Sequence, residues 1–514
     1  MSLFVRLGSL ALLPGALLAQ TPASVQVGAN SITPEDIRRR IGILADDSMM
    51  GRATPSAQLE NAARYIAAEF RRFGLKPGGE GGYFQRYGIL RRQLDTARAA
   101  LVIAAPPGTV TLKLGSTVNL LPLGTPPTRV VSGPVVLFTG KGDTLHPLAG
   151  ADVRGAWVAI VASADRNGLR LDDPAPPAAL QAGALGILVI SNRPDSIWQS
   201  RLARMTRPVV TLAWKAAADT TPRPAFPEIR DAQATRAFGF DPIALRAQTA
   251  RNAQRLQGVT VTYRPAYRNI DSASAPNVIG ILEGSDPQLK NEYIFFTGHM
   301  DHVGTPGAGQ DCAPRGGDSI CNGADDDASG TTAVLEAAEA FSHLSPRPKR
   351  SLVFMTVSGE ERGLWGSEYF SEHPTVPLAN IVADLNTDMV GRNWKDTIAV
   401  IGKEHSDLGA TLNRVGAAHP ELHMAPIDDI WPQENFYFRS DHYNFARKGV
   451  PILFFFNGTH ADYHQVSDSP DKIDAEKESR IVKLVFYLGL EIANTLQRPR
   501  WNPESYRRIV QGGN

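Results

Sequence analysis

The sequence predicts an α/β protein: a mixed, mostly parallel sheet flanked by helices, with a small β-rich domain inserted. Three observations carry this. Six short apolar runs, NVIGILEG, EYIFFTG, SLVFMTV, IVADLNTD, TIAVIG and PILFFFNG, alternate with helical stretches between residues 275 and 498. They show too little polar alternation for a sheet wetted on one side, so they read as strands buried between two helix layers. A block from about residue 130 to 240 has a different texture, with apolar strands set off by Gly, Pro and Asp turns.

Taken in order, the chain starts MSLFVRLGSLALLPGALLAQTPAS. Arg6, a Leu/Ala-rich stretch and the small Ala19 form a signal-peptide pattern over 1–19, which predicts an exported protein. The stretch is too short to span a membrane comfortably, and no later run reaches ~18 apolar residues, so no anchor is expected. TPEDIRRRIGILADD follows, a helix with Thr33 as N-cap, Pro34 at its first position, and Glu35 and Asp36 in its first turn. SAQLENAARYIAAEFRRFGL is a second helix, with Ala63, Ile66, Ala67 and Phe70 at helical spacing and Gly74 at its end.

Residues 98 to 123 read as short strands. The inserted domain is placed at 128–245, with the Pro-rich joins LGTPPTR and TPRPAFPE near its two edges. Its strands are SGPVVLFTG, GAWVAIVAS and ALGILVISN, with a helix at PPAALQAGA. The main domain is then discontinuous, 20–127 and 246–514. The later helices include GTTAVLEAAEAFSHL, SDLGATLNRVGAAH and ESRIVKLVFYLGLEIANTL.

Composition narrows the function. The 514 residues hold 53 basic and 52 acidic side chains, for a net charge of +1, and no basic block, which argues against nucleic acid as a partner. The two cysteines, Cys312 and Cys321, lie in DCAPRGGDSIC. In an exported chain they read as one local disulfide, worth about 3 kcal/mol by loop closure. Free thiols are the alternative; two soft ligands beside so many carboxylates argue against thiolate metal binding.

In such sheets, functional groups gather at the carboxyl ends of the strands. His299, Met300, Asp301 and His302 follow YIFFTG; Glu360 and Glu361 follow SLVFMTVSG; Asp388 ends IVADLNTD; His464 follows PILFFFNGTHADY. NGADDDASG, 322 to 330, puts Asp325, Asp326 and Asp327 side by side just before a helix. Like charges this close need a cation. Carboxylates and imidazoles without thiolates suit Zn²⁺. Many carboxylates with only two suitable histidines point to two ions sharing a bridging carboxylate from the triplet. Of the adjacent glutamates, one can bind metal while the other acts as general base. Asp301 is placed to orient His299 or its ion. Each piece alone is more often structural; their joint position at strand ends carries the reading.

GHMDH, NGADDDASG, SGEERGLWGSE, NTDM and YHQVSDSPDKID closely resemble the zinc exopeptidase family of bacterial leucyl aminopeptidase and glutamate carboxypeptidase II, metallopeptidase family twenty-eight. The resemblance runs from about Asn277 to the C-terminus and includes LADDSMMGRATPS near the start. The insert resembles a protease-associated domain.

The resemblance implies two Zn²⁺ ions bridged by Asp326, with His299 and Asp388 on one and Glu361 and His464 on the other. It makes Glu360 the general base, Asp301 the partner of His299, and Tyr463 a support for the oxyanion. The implied function is an exported aminopeptidase acting on peptides. A carboxypeptidase or dipeptidase with the same centre is the alternative, and the complete ligand set argues against a non-enzymatic binding ectodomain. His302, Asp441 and His442 lie near the inferred site, with pocket-lining and bracing roles both open. The acidic residues of PIDDIWPQENFYFRS, 426 to 440, could receive a substrate's α-ammonium; a solvated loop is the alternative reading.

Overall fold

The structure, a computed structural model, describes residues 23–106, 108–121, 128–140, 145–162, 174–218, 223–248, 251–307 and 312–512. The leader read at 1–19 and most of the join LGTPPTR lie outside the described residues. The chain divides into two compact units, one of Met1–Tyr87 with Ser274–Asn514, the other of Gly88–Ala273.

The first unit opens with helices α1 (Ala23–Ser31), α2 (Pro34–Leu44) and α3 (Ala57–Arg72). The N-cap read at Thr33 holds, and Ser56 caps α3 in the same way. Thr33 accepts from the Asp36 N–H at 3.1 Å, and Ser56 from that of Leu59 at 3.0 Å. α3 buries Ala63, Ile66, Ala67 and Phe70, the face its spacing predicts.

The strands of this unit that position the site are β1 (Tyr267–Leu282, entering the unit at Ser274), β2 (Tyr293–His299), β3 (Ser351–Val357), β4 (Ile381–Thr387), β5 (Thr397–Ile401), β6 (Ala425–Ile427) and β7 (Ile452–Phe456). Their order is β6-β5-β7-β4-β2-β3-β1. β3, β2, β4 and β7 run parallel at the centre. β1 pairs antiparallel with β3, and β5 with β7, while β6 is parallel to β5. The expected mixed, mostly parallel sheet is therefore present.

Side chains on successive strand residues point to opposite faces, and β2 uses both. Phe295 meets Phe370 and Phe445, each with ring centroids 5.3 Å away, on α5 (Trp365–Glu372) and α7 (His442–Ala446). Phe296 meets Phe341 at 5.4 Å, on α4 (Gly330–Ser342). α8 (Ala475–Asn494) covers the Phe296 side, where a Cβ on Gly489 would sit 2.5 Å from the Phe296 ring. Burial on both sides is why these strands read as unbroken apolar runs.

The parallel core sets the position of the site. β2, β3 and β4 end at one edge, with His299, Glu360–Glu361 and Asp388 at or just past their last residues, and β7 runs the same way toward His464.

The second unit is built on an eight-stranded mixed sheet. In order across it lie Gly108–Lys113, Ala100–Ala105, Asn252–Arg264, Val131–Thr139, Trp157–Val161, Gly186–Ser191, Pro227–Arg230 and Asn119–Leu120. This unit is wider than the 128–245 segment read from sequence. Asn252–Arg264 pairs antiparallel with both Ala100–Ala105 and Val131–Thr139, which draws flanking strands on both sides into one sheet. Such pairing is non-local, and the Pro-rich joins do not mark it. Among the described residues of the chain, no helix is long and apolar enough to cross a membrane.

Candidate metal centre

The aspartate triplet sits in a short helical segment leading into α4, and its three side chains face three ways. Asp325 accepts from the Gly391 N–H at 2.7 Å and lies 3.1 Å from His460 Nε2. Nδ1 of His460 accepts from the Asp462 N–H, so its proton sits on Nε2 and is donated to Asp325. Asp327 accepts three backbone N–H groups, from His299 at 3.0 Å, Gly330 at 2.7 Å and Met389 at 3.2 Å. It thus ties the end of β2, the start of α4 and the turn after β4 together. A Cβ at position 330 would lie 2.3 Å from Asp327 Oδ1, so glycine is required there.

Asp326 is the one turned to the histidines. Its Oδ1 is 3.2 Å from His299 Nε2, and its Oδ2 is 3.2 Å from His464 Nε2. His299 Nε2 also stands 3.7 Å from Asp388 Oδ1, and His464 Nε2 stands 3.1 Å from Glu361 Oε2. Metal bonds of about 2.0 Å in a tetrahedron put donor atoms about 3.3 Å apart. These separations therefore fit two ions, one on each oxygen of Asp326. His464 Nε2 is buried without a hydrogen-bond partner among the described residues, as a nitrogen held for a metal would be. His299, Asp326, Glu360, Asp388 and Tyr463 all line one cavity, so these sequence-predicted residues are brought together.

Asp301 is fully buried one step away. It accepts from Thr54 Oγ at 2.8 Å and from the Glu360 N–H at 3.2 Å. His299 Nδ1 lies 3.1 Å from the Asp301 carbonyl, whereas the carboxylate is 3.8 Å away. A carbonyl only accepts, so Nδ1 carries the proton and the Nε2 lone pair faces Asp326 and Asp388. The orienting contact expected of the Asp301 side chain is made by its backbone.

The electrostatics follow from burial. Glu360 is held well above the usual carboxylate range, first by burial and then by the charges of Glu361, Asp441 and Asp388, which outweigh His299. Burial alone would lower His464, but Asp326 and Glu361 push it up to about 10. Tyr463 is raised by burial and by the surrounding carboxylates, so its hydroxyl keeps its proton. Its ring stacks on that of His464, with centroids 3.9 Å apart.

Several supporting residues carried no sequence signal of their own. Asp468 accepts from the N–H groups of Asp325 and Asp326, each at 3.1 Å. Arg52, fully buried, donates to the carbonyls of Met300 at 2.8 Å, Leu44 at 2.5 Å, Asn322 at 2.7 Å and Gly323 at 2.9 Å. It clamps the β2 end to the triplet loop. Both residues lie within stretches quoted above, GRATPS and VSDSPDK, yet spacing alone gives them no role.

His302 enters the cluster, with Nδ1 2.8 Å from Glu361 Oε1 and 3.7 Å from Asp326 Oδ2. Asp441 and His442 brace the fold instead: Ser367 Oγ donates to Asp441 at 2.6 Å, and His442 Nε2 is 2.8 Å from the Tyr437 carbonyl. Ser440, their neighbour, donates to Asp388 Oδ2 at 2.8 Å.

The 426–440 loop differs from expectation. Its acids are engaged elsewhere, Asp428 with Lys403 at 2.7 Å, Asp429 with the Trp431 N–H at 2.7 Å, and Glu434 near Arg439 at 3.7 Å. What the loop gives the cavity is Phe436, Arg439 and Ser440, beside Phe454 and Phe456 of β7. Cys312 and Cys321 form the expected disulfide, packed with Val303 and Val466 from the segments that follow His302 and His464.

Fold and centre together define an α/β protein with a buried set of carboxylates and imidazoles suited to a pair of divalent ions. Residues 277–489 match the model of Peptidase family M28, which bears out the resemblance carried by the motifs. A probable zinc metalloprotease of Pyrenophora teres f. teres is 34% identical over 127 residues, 24% of this chain and 25% of that protein. A probable leucine aminopeptidase of Arthroderma benhamiae is 26% identical over 266 residues, 47% of this chain and 72% of that protein. The aminopeptidase structure from Aneurinibacillus sp. strain AM-1 aligns over 93% of this chain and 97% of its own, at 19% identity and a TM-score of 0.48. The matched segment spans about a quarter of the length of the Pyrenophora relative.

Proposed function

We propose that the chain is an exported di-zinc metallopeptidase that removes N-terminal residues from peptides. The observation that carries the proposal is Asp326, whose two oxygens each face a separate imidazole while Glu360 faces the same cavity. His299, Asp326 and Asp388 would hold one zinc, and Asp326, Glu361 and His464 the other. When bound, the pair lowers the pKa of a shared water and polarises the scissile carbonyl.

The chain's own groups do the rest. The Glu360 carboxylate, ionised in the metal-loaded site, would take the proton of the attacking water and return it to the leaving amine. The Tyr463 hydroxyl donates to the developing oxyanion. The Asp301 carbonyl fixes the His299 tautomer. Phe436, Phe454 and Phe456 offer an apolar side-chain subsite. The likeness to a protein named as a leucine aminopeptidase supports the amino-terminal reading. The disulfide supports an oxidising compartment. The 128–245 segment, which lies within the Gly88–Ala273 unit, is read from the sequence as an inserted protease-associated domain.

Arg439 favours a second reading. A guanidinium lining the cavity is the group that would take a substrate's α-carboxylate, as a carboxypeptidase or dipeptidase requires. A panel of free, N-blocked and C-amidated peptides, run with and without chelator, separates the readings. Cleavage lost on N-blocking and kept on amidation supports the aminopeptidase; the reverse pattern overturns it.

A further inference from the structure

His302 is an imidazole beside the centre to which the reading above gives no task. Its ring is fully buried; among the described residues Nε2 has no hydrogen-bond partner, and Nδ1 stands beside Glu361 without an aligned bond. It is held in place from below by Gly323. That residue has φ +61, and a Cβ there would lie 2.5 Å from the His302 ring. The ring also meets that of His464 edge-on, with centroids 5.5 Å apart. A buried, unpartnered imidazole nitrogen costs stability unless something in the working state engages it.

Distance decides between two roles. Ligands of a common ion stand about 3.3 Å apart, whereas a charge-assisted N–H···O contact is about 2.7–2.9 Å. His302 Nδ1 is 2.8 Å from Glu361 Oε1, in the second range, and at 3.7 Å from Asp326 Oδ2 it is farther off than His464 is. The other oxygen, Oε2, is the one that faces His464. The χ2 torsion of histidine is soft, so a small rotation aligns Nδ1–H with Oε1.

We propose that His302 is a positioning residue for the second zinc. It donates from Nδ1 to Glu361 Oε1 and so presents Oε2 to the metal. This rests on the two-ion reading. It explains why the residue opposite must be glycine.

The test uses the full-length protein loaded with Zn²⁺ or Co²⁺, and reads metal stoichiometry, affinity by chelator competition, and the Co²⁺ visible spectrum. His302→Ala is expected to keep two ions but to bind the weaker one roughly 10- to 100-fold less tightly, with a shifted Co²⁺ band. His302→Asn, whose amide nitrogen replaces Nδ1, is expected to restore both readouts. His302→Gln, which mimics Nε2, is not. Should His302→Ala fail to fold, the Asn and Gln pair decides alone.

Asn and Gln variants that both match wild type, or both differ from it equally, overturn the proposal. So does an Ala variant that loses a whole ion, as His464→Ala is expected to, since His302 would then be a ligand. A wild-type protein that binds no second ion removes the two-ion reading itself.

Discussion

Arg40 and Arg52 are both fully buried guanidiniums of the same unit, and they are satisfied in opposite ways. Arg40 meets carboxylates: Glu336 at 2.5 Å, Glu69 at 3.4 Å, and Glu339, with Arg72 adding a second cation beside Glu69 and Glu339. Arg52 meets four carbonyls. Of the carboxylates whose charge reaches it, Asp301 and Asp326 have histidines as ion-pair partners among the described residues. The first cluster is balanced by the protein and builds the fold. The second is left short of positive charge, and that shortage marks a place for metal.

Breaking the shortage should have the largest effect. Asp326→Ala removes the carboxylate shared by both halves of the centre. Expected are a metal content below two ions by elemental analysis and peptide hydrolysis at background. Two retained ions would show that another group bridges them. Next comes Glu360→Gln, which keeps shape but not basicity. Turnover should fall roughly 10²- to 10⁴-fold while metal content stays at the wild-type value. Near-normal turnover would remove Glu360 from the base role.

The two arginines give a sharper pair. Lysine keeps the charge but not the planar fork. At position 52 it leaves several buried carbonyls short of donors, each costing about 1–3 kcal/mol. At position 40 an ammonium still faces three carboxylates. Arg52→Lys should therefore lose more stability in urea than Arg40→Lys. It should also bind metal less tightly, because Met300 and Gly323 flank the segments that carry His299 and Asp326. Equal losses would mean that charge, not the fork, is what Arg52 supplies. Burial lowers Arg52 to about 10, against the pull of Asp301, Asp327, Asp326 and Asp468, so it remains charged at neutral pH.

How far the sequence could be read follows the same division. The sheet and its working edge were legible because strands buried on both faces are continuously apolar and the reactive residues follow directly. The roles of the triplet were legible only through the family resemblance, since adjacency alone cannot say that Asp325 takes His460 and Asp327 takes backbone amides. His302 and Arg52 were not legible in this way. Their tasks depend on loops closing from distant parts of the chain, as the bonds from Arg52 to Asn322 and Gly323 show. The acids of the 426–440 loop misled for the same reason: local charge suggested a receptor for ammonium, and the fold turned those groups to Lys403 and to the backbone.

The smallest effect lies in the balanced cluster, and it tests whether that balance is complete. Glu336 is raised from 4.5 to about 8, first by burial, with Asp36 and Glu339 adding to the rise and Arg40 opposing it. Two cations among three carboxylates do not hold all of them ionised, and among the described residues only Arg40 pairs with Glu336. A folded-state pKa above the unfolded value means that the stabilising contribution is complete below about 4.5 and is lost as pH rises through about 8. Glu336→Gln removes that titration while keeping an oxygen for Arg40. Relative to wild type, the variant should gain stability steadily from pH 5 to 8, by at most about 1.4 kcal/mol per pH unit, and then level off. Urea unfolding of the metal-loaded pair at each pH reads the difference directly, because the centre titrates alike in both. A gap that stays flat from pH 5 to 9 would mean that Arg40 keeps Glu336 ionised throughout, and that the two clusters differ even more than their contacts suggest.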